Sequence, residues 1–129
     1  MKLAGYAALF DVADGARDTI RRGAFARTLA GREEPLPLLW QHRADRRIGT
    51  VEQVTEDRRG LRVIARIDRT QSRAAALLRA RGISGLSFGY RAKGFRRTAA
   101  GRVLEEIELL EISLVTRPLQ PRARVHLVR

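Results

Sequence analysis

The stretch Gly60-Leu61-Arg62-Val63-Ile64-Ala65-Arg66-Ile67-Asp68 decides the fold class. Leu61, Val63, Ala65 and Ile67 alternate with Arg62, Ile64, Arg66 and Asp68. A period of two sends the first set to one face of an extended chain and the second set to the other, the pattern of a half-buried strand. The polar run Glu56-Asp57-Arg58-Arg59-Gly60 precedes it, and residues 48–55 read as another strand. Two strands joined by a short polar turn predict a hairpin.

Outward from this hairpin, residues 2–10 read as a strand built of small residues. Residues 11–18 read as a turn region around Asp14-Gly15, and residues 23–29 as a short helix. Pro35 and Pro37 bracket an extended lead into Leu38-Leu39-Trp40-Gln41-His42. Downstream, residues 71–81 form the one convincing helix, with Thr70 as its cap and Gly82 as its end. Ala74, Leu77, Leu78 and Arg81 share a face of it at helical spacing. A strand is expected over 86–92, and a strand pair over 103–115 with a break or bulge inside it. Pro118 and Pro121 end regular structure before a short segment at 125–128. About six or seven strands, one or two helices and no βα alternation predict a mainly β (α+β) chain and exclude a doubly wound sheet. The expected architecture is a small antiparallel β-sheet or barrel with a flanking helix.

A length of 129 residues suits one domain, 1–129, with a core that needs no staples. The chain has no cysteine, which excludes disulfides, thiolate zinc sites and thiol catalysis. No apolar run approaches the roughly 20 residues of a membrane span. Residues 1–6 lack the apolar core of a signal peptide, so an intracellular protein is expected. The formal charge is +12, and every basic residue except Lys2 and Lys93 is arginine. Such a charge suits a nucleic-acid or acidic protein partner. The arginines are scattered, however, and together with many alanines they match GC-rich coding. Aromatic residues make up only 5% of the chain, too few for a base-stacking platform, so nucleic acid is not expected as the primary partner.

Three positions are unusual for a purely structural domain. Ser87 lies in Gly85-Leu86-Ser87-Phe88-Gly89, flanked by two glycines at equal spacing. Glycines weaken a strand, so close approach of other atoms is expected there. On spacing alone, a bulged strand with a solvent-facing hydroxyl explains the pattern better than a nucleophile does. His42 ends an apolar lead-in just before a polar loop, a place that suits an anchored but accessible base. Taken singly, it reads more simply as a surface histidine. Glu111 sits inside the apolar run Leu109-Leu110-Glu111-Ile112-Ser113-Leu114-Val115 and needs a partner. A histidine or one of the many arginines could provide it. Together the three supply the minimum set for activating a serine hydroxyl.

In their order and spacing, these segments resemble the prohead (capsid maturation) proteases of tailed phages, which are related in fold to the herpesvirus assembly proteases. The resemblance runs from Gly5-Tyr6-Ala7, through Asp18-Thr19-Ile20 and Gly23-Ala24-Phe25, to Leu38-Leu39-Trp40-Gln41-His42 and Ile48-Gly49. It continues through Gly60-Leu61-Arg62-Val63, Gly85-Leu86-Ser87-Phe88-Gly89-Tyr90 and Leu110-Glu111-Ile112-Ser113-Leu114-Val115 before Pro118. It implies His42 as general base, Ser87 as nucleophile and Glu111 as third member. In the herpesvirus relatives that third place, at nearly the same separation from the serine, belongs to a second histidine. Arg117 is the nearest match to the arginine-containing loop that builds their oxyanion hole, although the spacing differs. Ser113 belongs to the later strand and is a poorer nucleophile.

The implied reaction is peptide hydrolysis through an acyl-enzyme, with no metal or cofactor. The implied substrate is the scaffold segment of the major capsid protein, or a separate scaffold protein, inside the assembling procapsid in the host cytoplasm. The basic surface would then meet an acidic scaffold. Small size and GC-rich coding also suit a gene transfer agent. The implied fold is a small, mainly antiparallel β-barrel with one or two flanking helices, like that of the herpesvirus proteases. Those herpesvirus relatives are dimeric when active, so the 70–82 helix could serve a homodimer contact or equally pack only on its own barrel.

Two rivals remain. Gly85-x-Ser87-x-Gly89 matches the nucleophile elbow of α/β-hydrolases, with Glu111 and His126 following in their chain order. That motif requires a helix directly after the serine, where Phe88-Gly89-Tyr90-Arg91 is not helical in pattern. The other rival is a non-enzymatic basic capsid-assembly or DNA-binding protein.

Overall fold

The alternating stretch is the strand β5, Gly60–Ile67, and it lies inside one mixed sheet in the computed structural model, which describes residues 1–129. Leu61, Val63 and Ala65 are fully buried, as the period of two requires. β4, Arg43–Glu56, pairs antiparallel with one side of β5, and β1, Lys2–Leu9, with the other. The predicted hairpin is therefore present, but β4 begins earlier than expected, directly after His42.

The remaining elements are β2 (Asp18–Ile20), α1 (Ala26–Ala30), β3 (Pro37–Trp40), α2 (Arg73–Arg79), β6 (Gly85–Thr98), β7 (Gly101–Val115) and β8 (Val125–Val128). The strand order is β2-β7-β3-β4-β5-β1-β8, with β6 on the other edge of β7. β2 and β3 both run parallel to β7, β2 at Arg102 to Leu104 and β3 at Ile112 to Leu114. The stretch of β7 edge between them is capped by the α1 region: the Ile107 N–H donates to the Ala24 carbonyl and the Leu109 N–H to Thr28 Oγ1.

The expected small antiparallel barrel requires correction on two counts. Two of the strand pairs are parallel, and the sheet does not close. β8 is short and pairs with β1, and its side of the sheet meets β6 at a single bridge, Gly85 with Arg124. The connection between β7 and β8 carries Pro118 and Pro121, which have no N–H to give to a ladder.

The expected strand pair over 103–115 is one continuous strand, β7, and its hairpin partner is β6, which runs on to Thr98. The extension was hidden because this half of the ribbon has no apolar alternation. Two ion pairs cross it, Arg91 with its ladder partner Glu108 and Arg96 with Glu105. The break or bulge expected inside 103–115 occurs as two register shifts, at Leu110 and Glu105, which have no partner on β6; a further shift lies at Lys93 on β6.

α2 starts later than expected. Ser72, not Thr70, caps it, accepting the Ala75 N–H at 3.2 Å. It ends where Arg81 turns left-handed, and the Gly82 N–H closes onto the Leu77 carbonyl. It buries Ala74, Ala75 and Leu78 in the single core cluster, alongside Phe25, Leu38, Leu86, Ile107 and Ile112. Each buried leucine, isoleucine or phenylalanine among these contributes about 1.5–3 kcal/mol by leaving water. No helix is long and apolar enough to cross a membrane.

β2 is fastened to β7 by an ion pair between buried Asp18 and half-buried Arg102. Asp18 takes two bonds of 2.8 Å from Arg102, and the Tyr90 hydroxyl donates to it as well. Arg102 holds the Asp18 carboxyl below the usual carboxylate range. Burial pushes the Tyr90 phenol up.

Candidate active site

β3 and β4 are joined by a two-residue turn, Gln41-His42, and both residues are left-handed, with φ of 51° and 61°. A tight hairpin of this kind needs positive φ at both central positions, usually supplied by Asn-Gly. With two side-chain-bearing residues it costs about 1–2 kcal/mol at each. Several bonds hold the turn in place. The Gln41 N–H donates to the Leu114 carbonyl at 3.0 Å. The Gln41 side chain accepts the Thr116 N–H at 3.1 Å and donates to the Thr116 hydroxyl. The His42 N–H donates to Ser113 Oγ at 3.0 Å. The strain thus fixes the direction of one side chain, that of His42.

Glu111 lies beneath this turn on β7 and is only 8% exposed. His42 Nδ1 is 3.0 Å from one carboxylate oxygen and 3.2 Å from the other. The Ser113 hydroxyl donates to the same carboxylate at 2.9 Å. One hydroxyl can donate once and still accept, so Ser113 ties the His42 backbone to the Glu111 side chain. An ionised carboxylate only accepts, which places the imidazole proton on Nδ1 and leaves the Nε2 lone pair open. Of the two partners open to Glu111, histidine is the one present.

Ser87 stands directly opposite Ser113 on the β6–β7 ladder, and Gly89 opposite Glu111. Alternation along both strands puts Ser87, Ser113 and Glu111 on one face. Ser87 is partly exposed, whereas Ser113 is fully buried. No hydrogen bond joins Ser87 to His42, a contact that often tightens only when substrate is bound.

Both glycines of the pentapeptide now have a reason. A Cβ on Gly89 would lie 2.8 Å from Glu111 Cγ and 2.9 Å from its Cδ. One on Gly85 would lie 2.5 Å from the Val115 carbonyl oxygen and 2.8 Å from Pro118 Cδ. Gly89 makes room for the carboxylate, and Gly85 lets the turn after β7 pack closely. Arg117 is exposed on that turn and forms no ion pair. His126 is on β8, its ring 6.1 Å from that of Tyr6, and takes no part in the Glu111 contacts. The continuation of β6 through Ser87, with no helix after it, removes the α/β-hydrolase elbow.

The clamp of Gln41 on Thr116 and the bridging role of Ser113 were not anticipated. A left-handed pair at Gln41-His42 has no glycine or asparagine to announce it. Ser113 could have been singled out as a hydroxyl two residues from a buried acid on the same strand face.

The fold is that of viral assembly proteases. The chain matches varicella-zoster virus protease with a TM-score of 0.63 at 17% identity, over 97% of this chain and 62% of that one. It matches KSHV protease, in complex with a hexapeptide phosphonate inhibitor, with a TM-score of 0.55 at 13% identity, over 88% of this chain and 58% of that one. The chain therefore spans less than two thirds of the length of these proteases. The family model for the caudovirus prohead serine protease matches residues 1–129, and the chain belongs to that family. No curated protein is significantly similar to it.

Proposed function

We propose that the protein is a serine endopeptidase of capsid maturation, with Ser87 as nucleophile, His42 as general base and Glu111 as the residue that orients His42. The observation that carries this reading is the His42–Glu111 pair, held on the ladder face that also bears Ser87. Ser87 Oγ attacks the scissile carbonyl while its proton passes to His42 Nε2. The imidazolium then gives that proton to the leaving amine, and water attacks the acyl-enzyme by the same relay. Glu111 stabilises the imidazolium and keeps Nδ1 protonated. Ser113 is a positioning residue, because its hydroxyl is buried and committed to the carboxylate. Arg117 and the backbone of its turn are the candidates for stabilising the oxyanion.

Beyond Leu86, the outer edge of β6 has no strand partner. An extended peptide can pair there and bring its carbonyl to Ser87. The substrate is the scaffold segment of the major capsid protein, or a separate scaffold protein, cut inside the assembling procapsid in the host cytoplasm. Its removal empties the shell and makes maturation irreversible. The same enzyme suits a tailed phage or a gene transfer agent.

A peptidyl phosphonate, which reacts with activated serine hydroxyls, tests the site. Wild type should gain one phosphonyl group on the peptide containing Ser87. His42→Ala should lose the labelling, and His126→Ala should keep it. Labelling at Ser113, or none in wild type, would reject the assignment.

A further inference from the structure

On the β1–β8 side of the molecule, two adjoining clefts are lined by arginine and by no carboxylate. Arg59, Arg62, Arg122 and Arg124 line one, of about 460 Å³, around Tyr6. Arg79 and Arg81 line the other, of about 680 Å³, and His126 belongs to both. None of these six arginines makes a salt bridge, whereas Arg91 and Arg96 on the β6–β7 ribbon pair with Glu108 and Glu105. Arg124 is fixed by its own bonds to the Pro121 carbonyl and the Ser84 hydroxyl. Arg59 lies over the Tyr6 ring, 5.5 Å from its centre. The nearby carboxylate, Asp57, is occupied by the Tyr6 hydroxyl and by the Arg59 and Gly60 N–H groups.

Apolar side chains accompany this charge. Val12, at the rim of the first cleft, is 46% exposed, and Leu127, in the second, is 45% exposed. Between them runs β8, the last strand of the sheet order, whose outer edge has no strand partner. Its Val125 N–H is taken by the Ser84 carbonyl. A strand edge free beyond Val125, flanked by cations without salt bridges and by exposed aliphatics, fits an extended acidic segment with interspersed apolar residues.

We propose that β8 and its two arginine-lined clefts are an exosite for such a segment of the scaffold, separate from the cleavage site. This rests on the protease reading for the identity of the partner. A polypeptide fits better than a nucleic acid, since of the first cleft's two aromatic side chains Phe10 is buried and Tyr6 is already covered by Arg59. Docking here would raise the local concentration of scaffold at Ser87 and weaken as salt screens the charges.

The test is fluorescence anisotropy on Ser87→Ala, so that nothing is cleaved. The probes are a labelled peptide alternating glutamate and leucine, its lysine-for-glutamate counterpart, and a labelled single-stranded oligothymidylate. The acidic peptide should bind most tightly. Arg59→Gln with Arg122→Gln should weaken it by at least about tenfold. Arg21→Gln with Arg91→Gln removes the same charge from paired arginines and should change it less than about twofold. Arg62→Gln alone should weaken binding in the same direction, with thermal unfolding unchanged. Equal weakening by the two double variants would reduce the effect to net charge and overturn the proposal. So would tighter binding of oligothymidylate than of the acidic peptide, or no binding of that peptide at all. Phosphonate labelling of Ser87 in the Arg59→Gln, Arg122→Gln protein reports on the protease reading separately, since it does not need the exosite.

Discussion

Glu111 and Gly89 face each other across the β6–β7 ladder, and the carboxylate side chain occupies the space that a Cβ at residue 89 would need. The glycine two positions after Ser87 thus serves the acid on the next strand. Gly89→Ala should push Glu111 off His42 while leaving the sheet paired. We expect cleavage to fall by about tenfold to a hundredfold, the scale of a misplacement near 1 Å. Global stability should change by only about 1 kcal/mol, within the range of a local repacking. Steady-state cleavage and chemical denaturation on the same preparation check this, and a fully active Gly89→Ala would contradict it.

Replacing Glu111 itself separates charge from shape. Glu111→Gln keeps the volume but no longer enforces a proton on His42 Nδ1. On the proposed roles, kcat should drop by up to about 10⁴, the scale seen when a triad carboxylate becomes an amide. KM should stay close to its wild-type value, because the group does not touch substrate. A variant affected only in KM would place Glu111 outside the relay.

Ser113→Ala removes one hydroxyl that serves two partners. It leaves the His42 N–H without its acceptor and Glu111 without one donor. Stability should fall by about 1–3 kcal/mol, the cost of an unsatisfied buried donor. The protein should still react with a peptidyl phosphonate, more slowly than wild type, because the nucleophile is intact. Complete loss of labelling in a folded Ser113→Ala protein would make Ser113 the nucleophile.

The strained turn gives a further prediction. Gln41→Ala keeps both left-handed residues but removes the clamp on Thr116. It should cost about 1–2 kcal/mol of stability, the worth of two side-chain bonds. It should also lower kcat more than it changes KM, since His42 loses its fixed direction. Equal kcat in variant and wild type would show that the clamp is not needed to aim the imidazole.

The Asp18–Arg102 pair sets an acid limit on stability. Arg102 holds the Asp18 carboxyl below its usual range in the folded chain, so the unfolded chain takes up the proton first as pH falls. The stabilisation is therefore complete above the unfolded value of about 3.9 and is lost as pH drops through the lower folded value. Asp18→Asn should be less stable than wild type by about 1–3 kcal/mol at neutral pH. That difference should shrink below about pH 4. Denaturant titrations in neutral and acidic buffer give both numbers, and a gap that widens in acid would refute the sign.

Where apolar residues alternate, as in Leu61, Val63, Ala65 and Ile67, strand and facing were legible from sequence. They were not legible in the outer half of the β6–β7 ribbon, where arginines and glutamates hold the pairing and leave no hydrophobic period. The barrel expectation failed because closure depends on how the segment holding Pro118 and Pro121 meets β6, a tertiary matter that no local pattern carries. Parallel pairing of β2 and β3 on β7 was hidden for the same reason. At the site, His42 and Glu111 could be picked out as an accessible base and an acid in an apolar run, and the structure joins them. The turn that aims His42 could not be foreseen, because its left-handed residues are held by Leu114, Thr116 and Ser113, far away in sequence.

The most direct test is co-expression of this protein with its cognate major capsid protein, wild type against Ser87→Ala, with the capsid protein read by intact mass. A discrete N-terminal segment should be lost with wild type and retained with Ser87→Ala. A capsid protein of the same mass in both, while wild type still labels with the phosphonate, would contradict the substrate. Equal trimming in both would contradict Ser87 as the nucleophile.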